Sequence, residues 1–280
     1  MIRPASTTAR SSGNHRLVVG GIGAHMALHI AGGRRAEAVT ELAHLWSRCA
    51  ASSDAEVSHT LTVQLTEPGA TQAAQAETPT RVADSDARRL WERTSRAVTL
   101  ALIKARAGEL LMFHAGAVCH PTTGRTLVFV APSQTGKTTL TAVLGRHFGY
   151  LGDELVAVDD NLRVLGYPKP LSMRSRDGAA RAETAADDLR LQPAHDHPTL
   201  ARIAIINRDP QHTGPATAEE LDLFDAIMQL APQMSSLGAM PAGLQQLAAV
   251  VGRTGPVLQI TYSEAESVLP LAHERLEQEA

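Results

Sequence analysis

Nine consecutive residues, Ala131-Pro132-Ser133-Gln134-Thr135-Gly136-Lys137-Thr138-Thr139, stand between the apolar run Leu127–Val130 and the apolar segment Leu140–His147. Strand, loop and helix in that order make a phosphate cradle. Successive loop N–H groups point into one concavity, and the helix N-terminus adds a partial positive charge. In such a loop Lys137 reaches the β and γ phosphates and Thr138 ligates magnesium, while Ser133, Gln134, Thr135, Gly136 and Thr139 surround the phosphates. The pattern GxxxxGK[ST] has Ala131 where its first glycine belongs, but Gly136, Lys137 and Thr138 keep the parts that touch phosphate and metal. The competing reading is a chance Gly-Lys-Thr at a helix start.

Asp153 and Glu154 follow Lys137 by 16 and 17 residues and precede the strand-like Leu155–Val158. Two adjacent carboxylates at a strand end divide labour: one coordinates magnesium, directly or through water, and the other accepts the proton of an attacking hydroxyl. Asp153 is the first candidate for the base and Glu154 for the metal, and an exchange of the two roles stays open. Without the loop upstream, the same acids read as a solvated turn.

His114 lies in the apolar run Leu110–Val118, just before the loop-bearing strand. A lone histidine among apolar residues is most often a satisfied core side chain; beside phosphates, its imidazole assists the acid pair. In Lys169-Pro170-Leu171-Ser172-Met173-Arg174, with Pro168 before it, the prolines stiffen an exposed approach, and Lys169 and Arg174 contact the transferred phosphoryl group or the acceptor. A solvated basic turn is the alternative.

These groups need a scaffold. Leu17–Val19 and His25–Ile30 form a hairpin around Gly20, Gly21 and Gly23; Ala36–Ala50 carries a helical stripe, and Val57–Leu65 alternates as a strand. The pattern predicts a flexible N-terminus at 1–16, a small α+β domain at 17–65, a linker at 66–85 poor in large apolar residues, and a phosphate-loop domain at 86–280. Asp86 caps a packing helix over Ala87–Arg106. Leu110–Val118 and Thr126–Ala131 read as two strands joined by the turn Pro121–Gly124. Further on come a strand at Arg202–Asn207, helices at Glu219–Leu230, Pro241–Gly252 and Ser267–Glu279, and a strand at Val257–Tyr262. The fold class is α/β, with a mixed sheet under the phosphate loop. His195-Asp196-His197 reads as a solvated loop rather than a metal site.

The 280 residues are 44% hydrophobic and 20% charged, with net charge -3, which suits a folded chain without a global field for a polyanion. No nucleic acid is expected as partner. Nine aromatics leave little for stacking platforms. No stretch reaches the roughly 18 apolar residues of a membrane helix, so no membrane is expected either. Cys49 and Cys119 fit neither a disulfide framework nor a zinc spacing, and a reducing cytoplasm is the simplest compartment.

In order and spacing these residues resemble the HPr serine kinase/phosphorylase superfamily, whose phosphate-loop fold is related to phosphoenolpyruvate carboxykinase. That pattern has a histidine on a strand, a hairpin, a phosphate loop, a helix and an acidic pair, which here become His114, Ala131–Thr138 with Ser133 retained, and Asp153-Glu154 after Gly152. The runs Asp153–Val158 and Val164–Arg174 are similar to HPr-kinase-like proteins of bacterial natural-product clusters, lasso-peptide kinases included. The resemblance implies ATP and Mg2+ as cofactors and phosphorylation of a serine hydroxyl on a ribosomal peptide or small protein, with self-association left open. Two other readings stand beside it: a small-molecule phosphotransferase, and a nucleotide-binding regulatory module without turnover.

Overall fold

A computed structural model describes residues 15–71, 77–132, 135–174 and 181–277. The expected N-terminal tail, apart from His15 and Arg16, and the loop residues Ser133 and Gln134 lie outside the described residues.

The chain opens with the predicted hairpin, β1 (Arg16–Gly21) and β2 (Ala24–Ala31), which pair antiparallel as far as Gly21 opposite Ala24. Ile22 and Gly23 close it with φ of +47° and +75°, the two positive values that match the twist of a tight hairpin. Helix α1 (Arg35–Leu45) then leads to β3 (His59–Leu65), parallel to β2, and β4 (Arg81–Asp84) adds parallel to β3. The segment expected as linker thus contains a strand. The helix expected over 36–50 stops at Leu45 and is followed by a 3-10 turn, Ser47–Cys49.

Helix α2 (Ala87–Ala105) starts where Asp86 accepts from the amides of Arg88 and Arg89, at 2.9 and 3.3 Å. Its buried stripe of Leu90, Trp91, Val98 and Leu102 packs on the four-stranded sheet, in one core with Leu28, Leu61, Val63 and Val82. Leu110, Met112, Leu155, Ala157 and Tyr167 belong to that same core, so the smaller sheet shares its interior with the larger half.

The apolar run Leu110–Val118 makes two strands, β5 (Leu111–Phe113) and β6 (Ala115–Cys119), because the chain changes sheets at His114. Next come β7 (Arg125–Val130), helix α3 (Lys137–Leu144), β8 (Gly149–Gly152), β9 (Val156–Val158), β10 (Val164–Leu165) and the hairpin of β11 (Leu171–Arg174) with β12 (Arg181–Thr184). The remainder comprises β13 (Thr199–Arg208), β14 (Thr217–Glu220), α4 (Leu223–Leu230), β15 (Met234–Ser235), α5 (Gly243–Thr254), β16 (Leu258–Tyr262) and α6 (Leu269–Glu277). Glu219 and Glu220, expected at a helix start, lie instead on β14, where antiparallel pairing with β16 holds them extended; the helix begins after Asp222, whose carboxylate accepts from the Asp225 amide.

Six strands in the order β14-β16-β13-β7-β6-β8 form the main sheet, with β7, β13 and β16 mutually parallel and the others antiparallel to their neighbours. The expected α/β class with a mixed sheet is the one found. Along β7, Leu127 and Phe129 face a core containing Leu140, Leu144 and Leu276, while Val128 and Val130 face one containing Leu247 and Val251. That period of two follows from the pleat. A Cβ on Gly116 of β6 would run into the Phe129 ring and the Thr141 hydroxyl, so the glycine lets α3 pack directly on the sheet.

Candidate functional site

The expected strand, loop and helix are β7, the loop after Val130, and α3. Gly136 immediately precedes α3 with φ of +93°, the left-handed region in which glycine carries no Cβ penalty. Ala131, by contrast, does not have a positive φ, and its buried methyl joins the core with Leu140. The first position of this loop therefore has no conformational need for glycine.

Lys137 heads α3 and is buried; its ammonium donates to the carbonyls of Ala131 and, at 3.5 Å, Pro132. Burial pushes its pKa down to about 8 against the opposing pull of Asp153 and Glu154. Thr135 closes the loop through a 2.7 Å bond from its hydroxyl to Pro132 O. Thr138 and Thr139, on the first turn of α3, line the cleft with Gly136 and Lys137.

Asp153 and Glu154 follow β8 and face the same cleft, a space of about 730 Å³. Asp153 is buried, and its Oδ1 has no hydrogen-bond partner; its nearest positive charge is the Lys169 ammonium at 3.5 Å. That ammonium also lies 3.1 Å from Glu154 Oε2 and donates to Pro170 O at 2.8 Å. Burial works against the Lys169 charge, but Asp153, Glu154 and Glu183 outweigh it and hold the ammonium firmly protonated. The exposed approach expected at 168–170 is therefore wrong in its exposure: Lys169 and Pro170 are buried. Tyr150 fixes this corner by donating to Lys169 O at 3.1 Å.

His114 sits at the switch between β5 and β6 and also lines the cleft. Its Nδ1 is 3.0 Å from Glu154 O, and because a carbonyl only accepts, Nδ1 carries the hydrogen and Nε2 is left as an acceptor. Burial, then the nearby Lys137 charge, lowers its pKa, so the ring is neutral at pH 7.

Eight residues on the cleft wall were given no role from the sequence: Glu92, Ser95 and Arg96 of α2, Ser172 and Met173 of β11, Arg181 and Glu183 of β12, and Arg208 at the end of β13. Glu183 accepts from Ser95 Oγ at 3.1 Å, and burial lifts its carboxyl to about 7 although Lys169 pulls the other way. Spacing on α2 offered a signal, since 92, 95 and 96 share one helical face; that this face meets a hairpin 80 residues on had none. His195, His197 and Asp196 form no metal cluster among the described residues, and His195 Nδ1 accepts from the His197 amide at 3.1 Å.

The cleft offers hard oxygen donors in Asp153, with an unpartnered buried oxygen, Glu154 and Thr138, with the His114 ring nitrogen beside them. One or two carboxylates beside substrate phosphates is the usual way magnesium is held, and these residues fit it.

The chain matches no family model and no curated protein sequence. Among solved structures it is similar to the HPr(Ser) kinase/phosphatase from Coxiella burnetii, with 11% identity and a TM-score of 0.31, over 59% of this chain and 87% of that one. No helix among the described residues is long and apolar enough to cross a membrane.

Proposed function

We propose that the protein is an ATP- and magnesium-dependent kinase that transfers the γ-phosphoryl group to a serine hydroxyl of a peptide or small protein. The observation that carries this reading is one cleft in which the Gly136-Lys137-Thr138 start of α3 faces the Asp153–Glu154 pair. Lys137, the loop amides and the helix N-terminus bind the triphosphate and offset charge on the transferred oxygens. Thr138 and one of the two acids would hold magnesium, which would supply positive charge against the charge developing on the transferred phosphoryl group. Asp153 takes the serine proton as the hydroxyl attacks, and Glu154 and the neutral His114 hold its surroundings. Lys169 acts by fixing both acids, which replaces the phosphate contact expected for it from sequence.

The resemblance of the 153–174 run to lasso-cluster kinases supports a ribosomally made peptide as acceptor. So does the shape of the cleft, whose wall carries exposed Glu92, Arg96, Arg174 and Arg181 and stays open to solvent. A closed pocket would have favoured a small-molecule acceptor.

The test is transfer from labelled ATP to an arrayed library of serine peptides, followed by mass spectrometry of the products. Asp153→Asn is expected to bind ATP normally and to lose transfer. Absence of any phosphoserine, together with ATP turnover indifferent to Asp153→Asn, would overturn the reading in favour of a binding module.

A further inference from the structure

The hairpin β11–β12 places Arg174 and Arg181 directly opposite each other. Ser172 and Glu183 form another opposite pair two residues along, so all four side chains share one face of the hairpin, and all four line the cleft. Arg96, from α2, joins them on this wall. Arg96, Arg174 and Arg181 are exposed, and among the described residues none of the three side chains forms a hydrogen bond or ion pair. Like charges directly opposite on neighbouring strands are destabilising, and among the described residues no carboxylate stands between this pair, so the wall holds a site short of an anion.

Two acids lie on the same wall. Glu183 is engaged by Ser95 and by the field of Lys169, and its raised pKa leaves it about half protonated at neutral pH. Glu92, one helical turn before Arg96, makes no ion pair with it. Among the described residues the balance on this wall is positive. On the kinase reading the triphosphate takes Lys137, the loop and the start of α3 as its partners, so its charge does not call for a second set of cations.

Resting on the kinase reading, we infer that Arg96, Arg174 and Arg181 form an acceptor subsite that binds an acidic stretch flanking the serine to be phosphorylated. Guanidinium groups suit this task because each presents a planar fork of donors matched to a carboxylate. The partner is thus an acidic peptide segment, oriented by the arginines so that its serine hydroxyl reaches Asp153.

The experiment uses the full chain and a positional serine-peptide library in which residues around the serine are scanned as Asp, Ala or Lys. Wild type is expected to favour Asp over Ala near the serine, and Arg174→Glu with Arg181→Glu is expected to raise the KM for the Asp peptides roughly tenfold or more while favouring Lys peptides. Affinity for ATP, measured separately by calorimetry, is expected to stay within about twofold. Phosphorylation without acidic preference, or with preference unchanged in the double variant, would overturn the subsite and leave the kinase reading intact. A loss of ATP affinity in the double variant would assign the arginines to the nucleotide and overturn it as well. If no peptide is phosphorylated while ATP binds, the kinase reading falls and the subsite with it.

Discussion

The side chains of Lys169 and Asp153, each 3% exposed, stand 3.5 Å apart as an ion pair on the wall of the cleft. Removing one member of a buried pair leaves the other charge uncompensated, at a cost of about 3–5 kcal/mol. Lys169 serves two acids, however, so the two halves of the pair are not equivalent. Lys169→Met is expected to lower unfolding stability by about 3 kcal/mol, and Asp153→Asn by clearly less, because Glu154 still faces the ammonium. Urea unfolding of both variants checks this; equal midpoints would show that Lys169 does not compensate the pair.

Lys137 titrates near pH 8 when no phosphate is bound. A triphosphate favours the ammonium form, so binding raises that pKa and takes up protons. ADP affinity is therefore expected to hold steady below pH 8 and to fall above it, by up to about tenfold per pH unit until the pKa of the complex is reached. Calorimetry at pH 8 in buffers of different ionisation enthalpy reads the uptake directly. Wild-type uptake of zero would contradict the burial argument, and Lys137→Ala is expected to lose both the uptake and most of the affinity.

Glu183 carries its proton to about pH 7 in the folded chain but ionises in the ordinary carboxylate range once unfolded. Its folded pKa is raised, so the stability it contributes is full below the unfolded value and is lost as pH rises through about 7. Stability of wild type is expected to decline over that window by about 3 kcal/mol at most, and Glu183→Gln to flatten the slope. Thermal unfolding from pH 4 to 8 compares the two; parallel curves would remove Glu183 as the source.

A Cβ on Gly136 has room, its nearest neighbours being Arg208 Cδ at 3.6 Å and Tyr262 Oη at 3.8 Å. The cost of Gly136→Ala is therefore conformational, about 1–2 kcal/mol for a left-handed residue. It is expected to appear as weaker nucleotide binding more than as lost stability, because the first turn of α3 relaxes away from its cleft geometry. Binding unchanged within twofold would refute this placement of the strain.

Local pattern was enough for most elements and for many of the residues that line the cleft. β7, the loop and α3 form the predicted succession, and Asp86 caps α2. What periodicity does not carry is partnership between distant segments. Leu110–Val118 is apolar throughout, and nothing in its composition marks His114 as the point where the chain leaves one sheet for another. Thr217–Glu220 is polar because it is an edge strand with much of its surface in water, so it imitates a helix start. Lys169 was expected on an exposed approach; only Asp153 and Glu154, brought beside it by β8 and β11, make its burial tolerable. The cleft wall of α2 was hidden for the same reason, since one helix serves the smaller sheet with its apolar stripe and the cleft with its polar one.

Gly116 lies under α3 in the interior, out of reach of any ligand, with Phe129 and Thr141 filling the space where its side chain would be. The Thr141 hydroxyl in turn donates to Lys137 O at 2.9 Å, so the seat of the helix and the backbone of the cleft-lining lysine are held by adjoining atoms. A missing methyl group thus works as a shim: it sets how closely α3 lies on the sheet, and enlarging it shifts the helix that carries Lys137 without altering any residue that lines the cleft.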